Sequence, residues 1–364
     1  MRLQLFCSVA VLCLTGTTAV HAANTNAANS RAPTNGAAGS AASAQAATNY
    51  PSDYRGWRDV QKRFIVARVV GFEGDSVKLA RKDGVVACVP LMQLSEWDRR
   101  YLGRIRRAAE AATYAGPQCP RTSLPGTFSL RPEYERLGVD VRDQGRRGSC
   151  TIFGVLSPLE FQLARNGQAD RLSERFAMWA ANLYRGRTGG NESYSVGDVV
   201  EALRIYGCTT ESAHSGKYKD HGAVAAPSKD VQQDAGMRKD LHVQWLYTNE
   251  GVPNALPTED VLTSICAILL TTNPVTLSLA WPNKVRLSST KIIQDGAAWN
   301  HGHVVVAVGF RMTGSRYGSG LFELRNSWGE RWGDDGYAFI AFDTLKRNLH
   351  TAVAVAPGVS PGPE

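Results

Sequence analysis

The most informative stretch of this sequence is residues 143–153, DQGRRGSCTIF. Gln144 lies six residues before Cys150, two glycines lie between them, and the residues that follow have the pattern of a helix. A buried structural cysteine needs neither the glutamine nor the glycine-rich approach. A nucleophilic thiolate benefits from an oxyanion donor and from a helix N-terminus. The stretch therefore favours a reactive thiol at the start of a helix.

The residues on the C-terminal side predict helices first and strands later. CTIFGVLSPLEFQLARNG predicts a helix from Cys150 to Gly167, with apolar residues at roughly helical spacing. Pro158 is expected to kink it, but the clash of the ring falls on the carbonyl of Gly154, so the first turn should survive. Further on, NPVTLSLAW, HVVVAVGF, GLFELRNSW and GYAFIAF are strand-like runs joined by glycine-rich turns. A helical half followed by a β half predicts an α+β fold.

The N-terminus has the pattern of a secretory signal peptide. Residues 1–23 begin with Arg2, continue through the apolar run LFCSVAVLCL and end in the small residues of AVHAA. A membrane anchor is the alternative, but the apolar run is about half of the roughly 20 residues that a span requires. Residues 24–52 bury too little apolar surface to offset the entropy of ordering. We therefore expect a secreted or periplasmic protein without a membrane span, whose mature chain begins with a flexible tether.

Charge and cysteine content narrow the function classes. The formal net charge is +8, but the arginines are spread along the chain without a nucleic-acid motif, so no nucleic-acid partner is predicted. Their concentration in DRRYLGRIRRAAEAA, residues 98–112, is typical of the solvated face of a linker helix. The cysteines that remain after the signal are Cys88, Cys119, Cys150, Cys208 and Cys266. Their spacing does not suggest a metal site, so we expect no metal and no cofactor. A catalytic Cys150 would explain the odd number.

Residues 55–102 have the pattern of a small β module. FIVARVVGFEGDSVKLARKDGVVACVPL, residues 64–91, alternates apolar and polar residues around two turns, which predicts a three-strand meander before a short helix. Ser95 with Asp98 resembles the N-cap of that helix. With LSEWDRRYL, the segment resembles the SLA-type homology domain, a small SH3-like β-barrel. In adaptor proteins this module binds short peptides, which implies a peptide or cell-wall partner; a spacer or docking module is the alternative.

A catalytic thiol needs an imidazole, and the sequence offers seven histidines. His301 and His303, in WNHGHVVVAVGF, head a predicted strand that emerges from a turn, which is a rigid position for a ring. The other five lie in the signal peptide, in loop-like or terminal stretches, or without a partner block beside them. Downstream, LRNSWGERWGDDGY supplies an asparagine to hold the ring and a tryptophan to shield that hydrogen bond from water.

These blocks resemble the papain-like cysteine peptidases. QGRRGSC matches the family's oxyanion glutamine and nucleophile, HVVVAVGF matches its histidine strand, and NSWGERWGDDGY matches its Asn-Ser-Trp-Gly segment, in the family's order. The resemblance implies Cys150 as the nucleophile and His303 as the general base and acid. It implies that Asn326 orients the ring, and that Gln144 and the Cys150 N–H stabilise the oxyanion.

The resemblance also selects the histidine and the substrate-binding residues. His303, unlike His301, stands seven residues before Phe310, as the catalytic histidine stands before the aromatic residue that ends its strand in the family. The substrate-binding residues that it implies are Gly189, Gly190, Ser278, Gly302 and Trp328. They predict an apolar or medium-sized side chain two residues before the cut.

Three positions depart from the family pattern without removing a group that acyl transfer needs. Arg147 stands where many members have a disulfide cysteine, and Thr151 where a tryptophan usually follows the nucleophile. Gly302 stands where an aspartate or asparagine is common. Arg146 and Arg147 favour the thiolate electrostatically and suggest a preference for acidic residues on the primed side; a solvent-facing loop pair is the alternative.

Together these features predict an α+β, papain-like two-lobed fold, with a helical lobe and a β-barrel-like lobe, preceded by a small SH3-like β-barrel. The predicted domains are a signal peptide (1–23), a tether (24–52), the module (55–102), a linker helix and loop (103–120) and the peptidase (121–356). The predicted function is an exported cysteine endopeptidase that acts on proteins or peptides through a Cys-His-Asn triad and an acyl-enzyme. A thiol hydrolase of cell-wall peptides and a non-catalytic papain-fold binding protein are the alternatives. Because the region ahead of the peptidase lacks the family's inhibitory helix, we expect the module to stay attached.

Overall fold

The computed structural model describes residues 50–113, 123–168, 170–187, 193–214, 218–250, 256–294, 298–313 and 319–358. The predicted signal peptide, nearly all of the tether, Cys119, Gly189 and Gly190 lie outside the described residues. Among the described residues, no helix combines the length and the apolar character needed to cross a membrane.

The N-terminal module is an antiparallel sheet of four strands in the order β1-β2-β3-β4. Its strands are β1 (Arg55–Arg58), β2 (Phe64–Glu73), β3 (Ser76–Arg81) and β4 (Val86–Pro90). The predicted meander omitted β1, on which Trp57 lies 1% exposed in the core of the module. The alternation along β2 and β3 buries Ala67, Val69, Val77 and Leu79, whereas Phe64 and Val66 at the start of β2 are exposed.

Helix α1 (Glu96–Ala112) follows the sheet and begins as predicted at Ser95, whose hydroxyl accepts the N–H of Asp98. The predicted boundary between module and linker, at residues 102 and 103, falls inside this single helix. The prediction of a solvated arginine face is wrong, because Arg99 and Arg107 are 5% and 3% exposed.

Those two arginines hold α1 against the rest of the protein. Arg99 donates to the carbonyl of Tyr184 (3.2 Å), and the Tyr184 hydroxyl donates to the carbonyl of Arg99 (3.1 Å). Arg107 donates through Nε to Glu250 (3.1 Å) and packs so closely on Gly197 that a Cβ there would lie 2.3 Å from Cζ of Arg107. The module and its helix are therefore anchored to the C-terminal region by buried ionic and backbone contacts.

The C-terminal region consists of a helical lobe and a sheet lobe. The helices of the first half are α2 (Arg131–Arg136), α3 (Cys150–Arg165), α4 (Glu174–Tyr184), α5 (Val196–Tyr206) and α6 (Lys229–Gly236). The strands are β5 (Thr127–Ser129), β6 (Leu241–Thr248), β7 (Val275–Pro282), β8 (Trp299–Met312), β9 (Gly320–Arg325), β10 (Tyr337–Ala341) and β11 (Leu349–Pro357), with α7 (Glu259–Leu270) and α8 (Phe342–Asn348) beside them. Within the described residues the strands form one antiparallel sheet in the order β10-β9-β8-β7-β11-β6, and β5 pairs with β8.

Helix α3 lies between the lobes and packs against β8, β7 and β11. A Cβ on Gly154 would lie 2.5 Å from Cγ1 of Val304, so the glycine allows the close approach of α3 to β8. Pro158 lies inside the helix and has no N–H for the carbonyl four residues earlier. That carbonyl, of Gly154, instead accepts the hydroxyl of Thr276 at 2.8 Å. The predicted helix thus forms, and β7 supplies the hydrogen bond that the proline removes.

Candidate active site

Cys150 is the first residue of α3, and its thiol lies against the sheet lobe. Cys150 packs against the apolar cluster that contains Val304, the residue that follows His303. Burial raises the pKa of the Cys150 thiol, and the polar groups of Val304 and Thr151 near the sulfur act in the opposite direction. The helix N-terminus adds a positive field at the same atom. The fold therefore brings the thiol to the strand that carries the predicted histidine.

The imidazole of His303 is hydrogen-bonded to Asn326, with 2.8 Å between Nε2 and Oδ1. The same oxygen accepts the backbone N–H of Ser327 at 2.8 Å, which defines the orientation of the Asn326 amide. Nε2 must then carry the hydrogen, and Nδ1 of the neutral ring is left with a lone pair. Burial lowers the pKa of His303 to about 4, although the bond to Asn326 acts to raise it. His301 is exposed, so burial and partner distinguish the two histidines.

Two tryptophan rings, which also contact each other edge-on at 6.0 Å, pack against the His303 imidazole. Trp281 and Trp328 each lie 4.8 Å from it, centroid to centroid, and Trp332 packs edge-on against Trp328 at 5.6 Å. Trp328 was predicted from its motif. Trp281 was not, because the strand that contains it gave no sign that its last aromatic residue would reach the histidine. His303 and Asn326 are 6% and 5% exposed, so the hydrogen bond between them is shielded from bulk water.

Three hydrogen bonds join Gln144 to Ser327 and Arg147. Its backbone N–H donates to the carbonyl of Ser327 (2.8 Å), and its side-chain Oε1 accepts the Ser327 hydroxyl (2.6 Å). Its Nε2 donates to the carbonyl of Arg147 (2.8 Å), which leaves the second hydrogen of this nitrogen uncommitted to that bond. Since a carbonyl can only accept, the orientation of the Gln144 amide is defined. Ser327 was missed by the sequence reasoning, although it lies next to Asn326.

The predicted substrate-binding residues occupy one region of the sheet lobe so far as they are described. In the β7–β8 register, Ser278 lies opposite Val304, and Ala280 lies opposite Gly302, so that these four residues share a face of the sheet. This is the face on which Val304 meets α3. Gly302 is exposed, and a Cβ on it would meet no atom within 4 Å. Open space therefore adjoins Gly302, two residues before Val304 on the same strand.

The two arginines before the nucleophile differ in environment. The side chain of Arg146 is 93% exposed. Arg147 is 9% exposed, and its guanidinium donates to the carbonyls of Lys219 (3.3 Å) and Gly222 (3.0 Å). The interpretation of both as a solvent-facing pair is therefore wrong for Arg147. Thr151, which stands where a tryptophan is usual, donates to the carbonyl of Tyr194 at 2.8 Å.

A buried ionic cluster lies behind the candidate site. Arg142 pairs with Glu160 on α3 and with Glu174 on α4, and Glu160 also accepts the N–H of Leu172 (2.6 Å). Burial raises the pKa of Glu160 to about 7, while the charge of Arg142 opposes the shift. The cluster joins the segment before Gln144 to both helices. Within the described residues, no group of three His, Cys, Asp or Glu side chains is arranged to hold a metal ion.

Comparison with known proteins agrees with this geometry. The papain family cysteine protease model matches residues 124–356, and the SLA1 homology domain 1 model matches residues 45–110. Cathepsin K from Gallus gallus is 24% identical over 278 residues, with 70% of this chain and 73% of that protein covered. The probable cysteine protease RD21B from Arabidopsis thaliana is 28% identical over 222 residues, with 60% of this chain but only 42% of that protein covered.

A solved structure supports the same fold. Xylellain, a cysteine protease from Xylella fastidiosa, matches with a TM-score of 0.53 at 20% identity, covering 67% of this chain and 90% of that chain. The predicted two-lobed papain-like fold is confirmed, and the sheet of the N-terminal module is consistent with a small barrel-like domain. Because the matched model extends over most of the chain, the protein belongs to the papain family of cysteine proteases.

Proposed function

We propose that the protein is an exported cysteine endopeptidase that cleaves protein or peptide substrates with Cys150, His303, Asn326 and Gln144. The observation that carries the proposal is the 2.8 Å bond between His303 Nε2 and Asn326 Oδ1, which leaves Nδ1 to take the thiol proton. A binding protein would not need this combination of tautomer, nucleophile and amide donor. Export rests on the signal-like residues 1–23.

Acylation begins with transfer of the Cys150 proton to Nδ1 of His303. The thiolate attacks the peptide carbonyl carbon, a C–S bond forms, and the carbonyl oxygen becomes an oxyanion. The second hydrogen of Gln144 Nε2 and the backbone N–H of Cys150 stabilise that charge. When the tetrahedral intermediate collapses, the C–N bond breaks, and Nδ1 returns its proton to the leaving amine. The product of this half-reaction is a thioester on Cys150.

Deacylation uses the same groups in reverse. Nδ1 of His303 accepts a proton from water, and the hydroxide oxygen attacks the thioester carbon. A second oxyanion forms at the Gln144 donor, the C–S bond breaks, and the Cys150 sulfur recovers its proton from His303. The acid half of the substrate leaves. Throughout both steps Asn326 holds the ring, while Trp281 and Trp328 keep water from that hydrogen bond.

The substrate-binding assignment is part of the proposal. We assign Gly302 and Ser278, which share a face of the sheet with Val304, to one wall of the substrate cleft, and Trp328 to the side of the imidazole. Gly189 and Gly190 are assigned to substrate binding by the resemblance alone. Small residues on this wall support acceptance of an apolar or medium-sized side chain two residues before the cut.

The module is proposed to remain part of the working enzyme as a docking or spacing element. Its contacts through α1 to α5 and β6 support permanent attachment. Apolar side chains on the outer face of its sheet support a docking role, since Phe64 and Val86 are 58% and 55% exposed. A peptide or wall component is the partner proposed for that face.

The decisive test of the nucleophile uses the mature protein and its Cys150→Ala variant. We expect an epoxysuccinyl inhibitor to label Cys150 alone and the variant to lose turnover in a peptide-library digest read by mass spectrometry. Cys88 is an internal control, because it is exposed but has no place in the candidate site. Labelling at Cys88 instead, or undiminished turnover by the variant, would contradict the assignment. Cleavage of cell-wall peptides but not of the library would favour the thiol hydrolase.

The histidine assignment has its own matched pair. His303→Ala should lose nearly as much activity as Cys150→Ala, since the two side chains act as a unit. His301→Ala, two residues away on the same strand, should be milder, because His301 is exposed. The opposite ranking would show that the wrong histidine was chosen.

A further inference from the structure

Residues 143–149, here called the oxyanion turn, precede α3 and include Gln144. Arg147 in this turn stands where many papain-like enzymes have a disulfide cysteine. The turn contains no cysteine in this sequence, so no covalent link of that kind can form. Something else must hold the turn, because an oxyanion donor displaced by an ångström loses much of its effect.

Residues 218–222, here called the strap, cover the turn and contact it repeatedly. The hydroxyl of Tyr218 donates to the backbone carbonyl of Gln144 at 2.9 Å. Since that uses its only hydrogen, the 2.7 Å contact between this hydroxyl and Ser149 Oγ has Ser149 as the donor. The Tyr218 ring also packs edge-on against Phe153 at 5.0 Å. One side chain thus links the oxyanion residue, the N-cap of α3 and its first turn.

The other end of the strap is held by the turn itself. The buried guanidinium of Arg147 donates to the carbonyls of Lys219 and Gly222. The backbone carbonyl of Arg147 accepts a hydrogen bond from Nε2 of Gln144. Asp220 accepts the backbone N–H of Arg146 at 3.3 Å. Hydrogen-bond donors thus lie on both segments, so the strap and the turn each restrict the position of the other.

Glycine at position 145 is required by this contact. Gly145 has φ of 60°, and a Cβ on it would lie 2.5 Å from Oδ2 of Asp220. The backbone of the turn and the strap therefore approach closely at the residue after Gln144.

We propose that the strap replaces the disulfide, and that Tyr218 and Arg147 are positioning residues that hold Gln144 as the oxyanion donor. The inference rests on the proposed function. Tyr218 acts on Gln144 through its backbone carbonyl, and Arg147 acts through the carbonyl that orients the Gln144 amide. Neither residue touches the reacting atoms.

The first experiment compares kcat and KM of wild type, Tyr218→Phe and Arg147→Met on one fluorogenic peptide. Removing an oxyanion donor outright costs about 100-fold or more in kcat. For a displaced donor we expect a loss of about 10-fold in kcat, with KM little changed. Tyr206→Phe is the matched control, because its hydroxyl contacts Met92 of the module instead of the turn, and it should retain the kcat of wild type.

A second measurement separates positioning from general structural support. In a Gln144→Ala background, Tyr218→Phe should lower kcat by less than about twofold, since the group that it positions is gone. If Gln144→Ala leaves too little activity, a peptide aldehyde replaces the substrate: the Cys150 thiol adds across its C=O, and the new oxygen lies at the oxyanion donor. Tyr218→Phe should weaken aldehyde binding by about 10-fold and leave the iodoacetamide alkylation rate of Cys150 unchanged, because alkylation forms no oxyanion.

Three outcomes would overturn the strap proposal. The first is wild-type kcat and aldehyde affinity in Tyr218→Phe. The second is an equal loss of kcat with and without Gln144, and the third is a loss of the alkylation rate as large as the loss of aldehyde binding. Failure of the proposed function is distinguishable, because wild type itself would then neither turn over peptides nor form the aldehyde adduct at Cys150.

Discussion

At the residues proposed for catalysis, burial opposes the charges that the proposed chemistry needs. Burial raises the pKa of Cys150 and lowers that of His303, so each side chain alone favours its neutral form. Proton transfer from sulfur to imidazole creates two opposite charges at once, and their attraction offsets part of the desolvation of each. The π-systems of Trp281 and Trp328, each 4.8 Å from the imidazole, favour its charged form, by about 0.5–2 kcal/mol per ring where the geometry is good. The proposed thiolate–imidazolium pair would therefore form only when both partners are present.

The titration of His303 without its partner checks this argument. In Cys150→Ala we expect the imidazole to stay neutral as the pH falls from 7 to about 4, where the buried ring finally protonates. Its pKa is lower in the folded state than in the unfolded state. The neutral buried ring therefore contributes about 3 kcal/mol to the free energy of unfolding above pH 6.5. This contribution is lost as the pH falls from 6.5 through about 4. NMR of the imidazole protons measures the pKa directly.

The control for that titration is Cys150→Ala with His303→Gln. This double variant should lose less unfolding free energy between pH 6.5 and 4 than Cys150→Ala does, since it lacks the group that must protonate. Equal acid sensitivity, or an imidazole that titrates near 6.5 in Cys150→Ala, would mean that His303 is not in a dry environment.

At the level of the elements, the contact of α3 with β7 and β8 places the thiol. The carbonyl that Pro158 leaves without an N–H lies in the same helix that carries Cys150, only one turn further on. Thr276, 0% exposed on β7, supplies the donor from the other lobe. The proline thus creates an acceptor that helps to join the two lobes beside the site.

Substitution of Thr276 tests the hydrogen bond between its hydroxyl and the Gly154 carbonyl. Thr276→Val has nearly the same shape but leaves the Gly154 carbonyl buried without that donor, which should cost about 1–3 kcal/mol in the free energy of unfolding. Thr276→Ser keeps the hydroxyl and should retain more of the stability. Urea denaturation of both variants gives the comparison. Equal stability of the two would show that the hydrogen bond contributes nothing.

At the scale of the whole molecule, the N-terminal module and helix α1 pack against the C-terminal region through ionic and apolar contacts. The buried Arg107 reaches Glu250, and the interface also pairs Glu110 with Arg204 on α5 at 3.1 Å. Ile205 packs against the core of the module, so apolar burial accompanies the ionic contacts. Removing the module would expose these groups.

Truncation tests both attachment and inhibition. We expect the protein that lacks only residues 1–23 to hydrolyse peptides without further cleavage. A version that begins at Thr122 should unfold at a lower temperature, by roughly 5–10 °C for a loss of about 2–3 kcal/mol. Gly197→Val is a point control, because its side chain would collide with Arg107 and loosen the interface without removing the module. Activity that appears only after the module is cut away would identify it as a propeptide.

The sequence by itself determined the family, the helix that begins at Cys150 and the four residues proposed for catalysis. These features are local: Gln144 and Cys150 lie in one short stretch, and His303 and Asn326 each stand in a motif whose neighbours identify it. The helix N-cap at Ser95 could be predicted for the same reason, since its hydrogen-bond partner, Asp98, lies three residues away.

Only the tertiary structure decided how distant segments meet. A basic helix has the same sequence pattern whether its arginines face water or a buried acid, and the partner of Arg107 lies 143 residues away. The contact of Trp281 with His303 depends on the β7–β8 register, and that of Tyr218 with Gln144 depends on a loop 74 residues downstream. Such contacts form because folding brings complementary groups together, and local sequence patterns do not encode which distant groups those are.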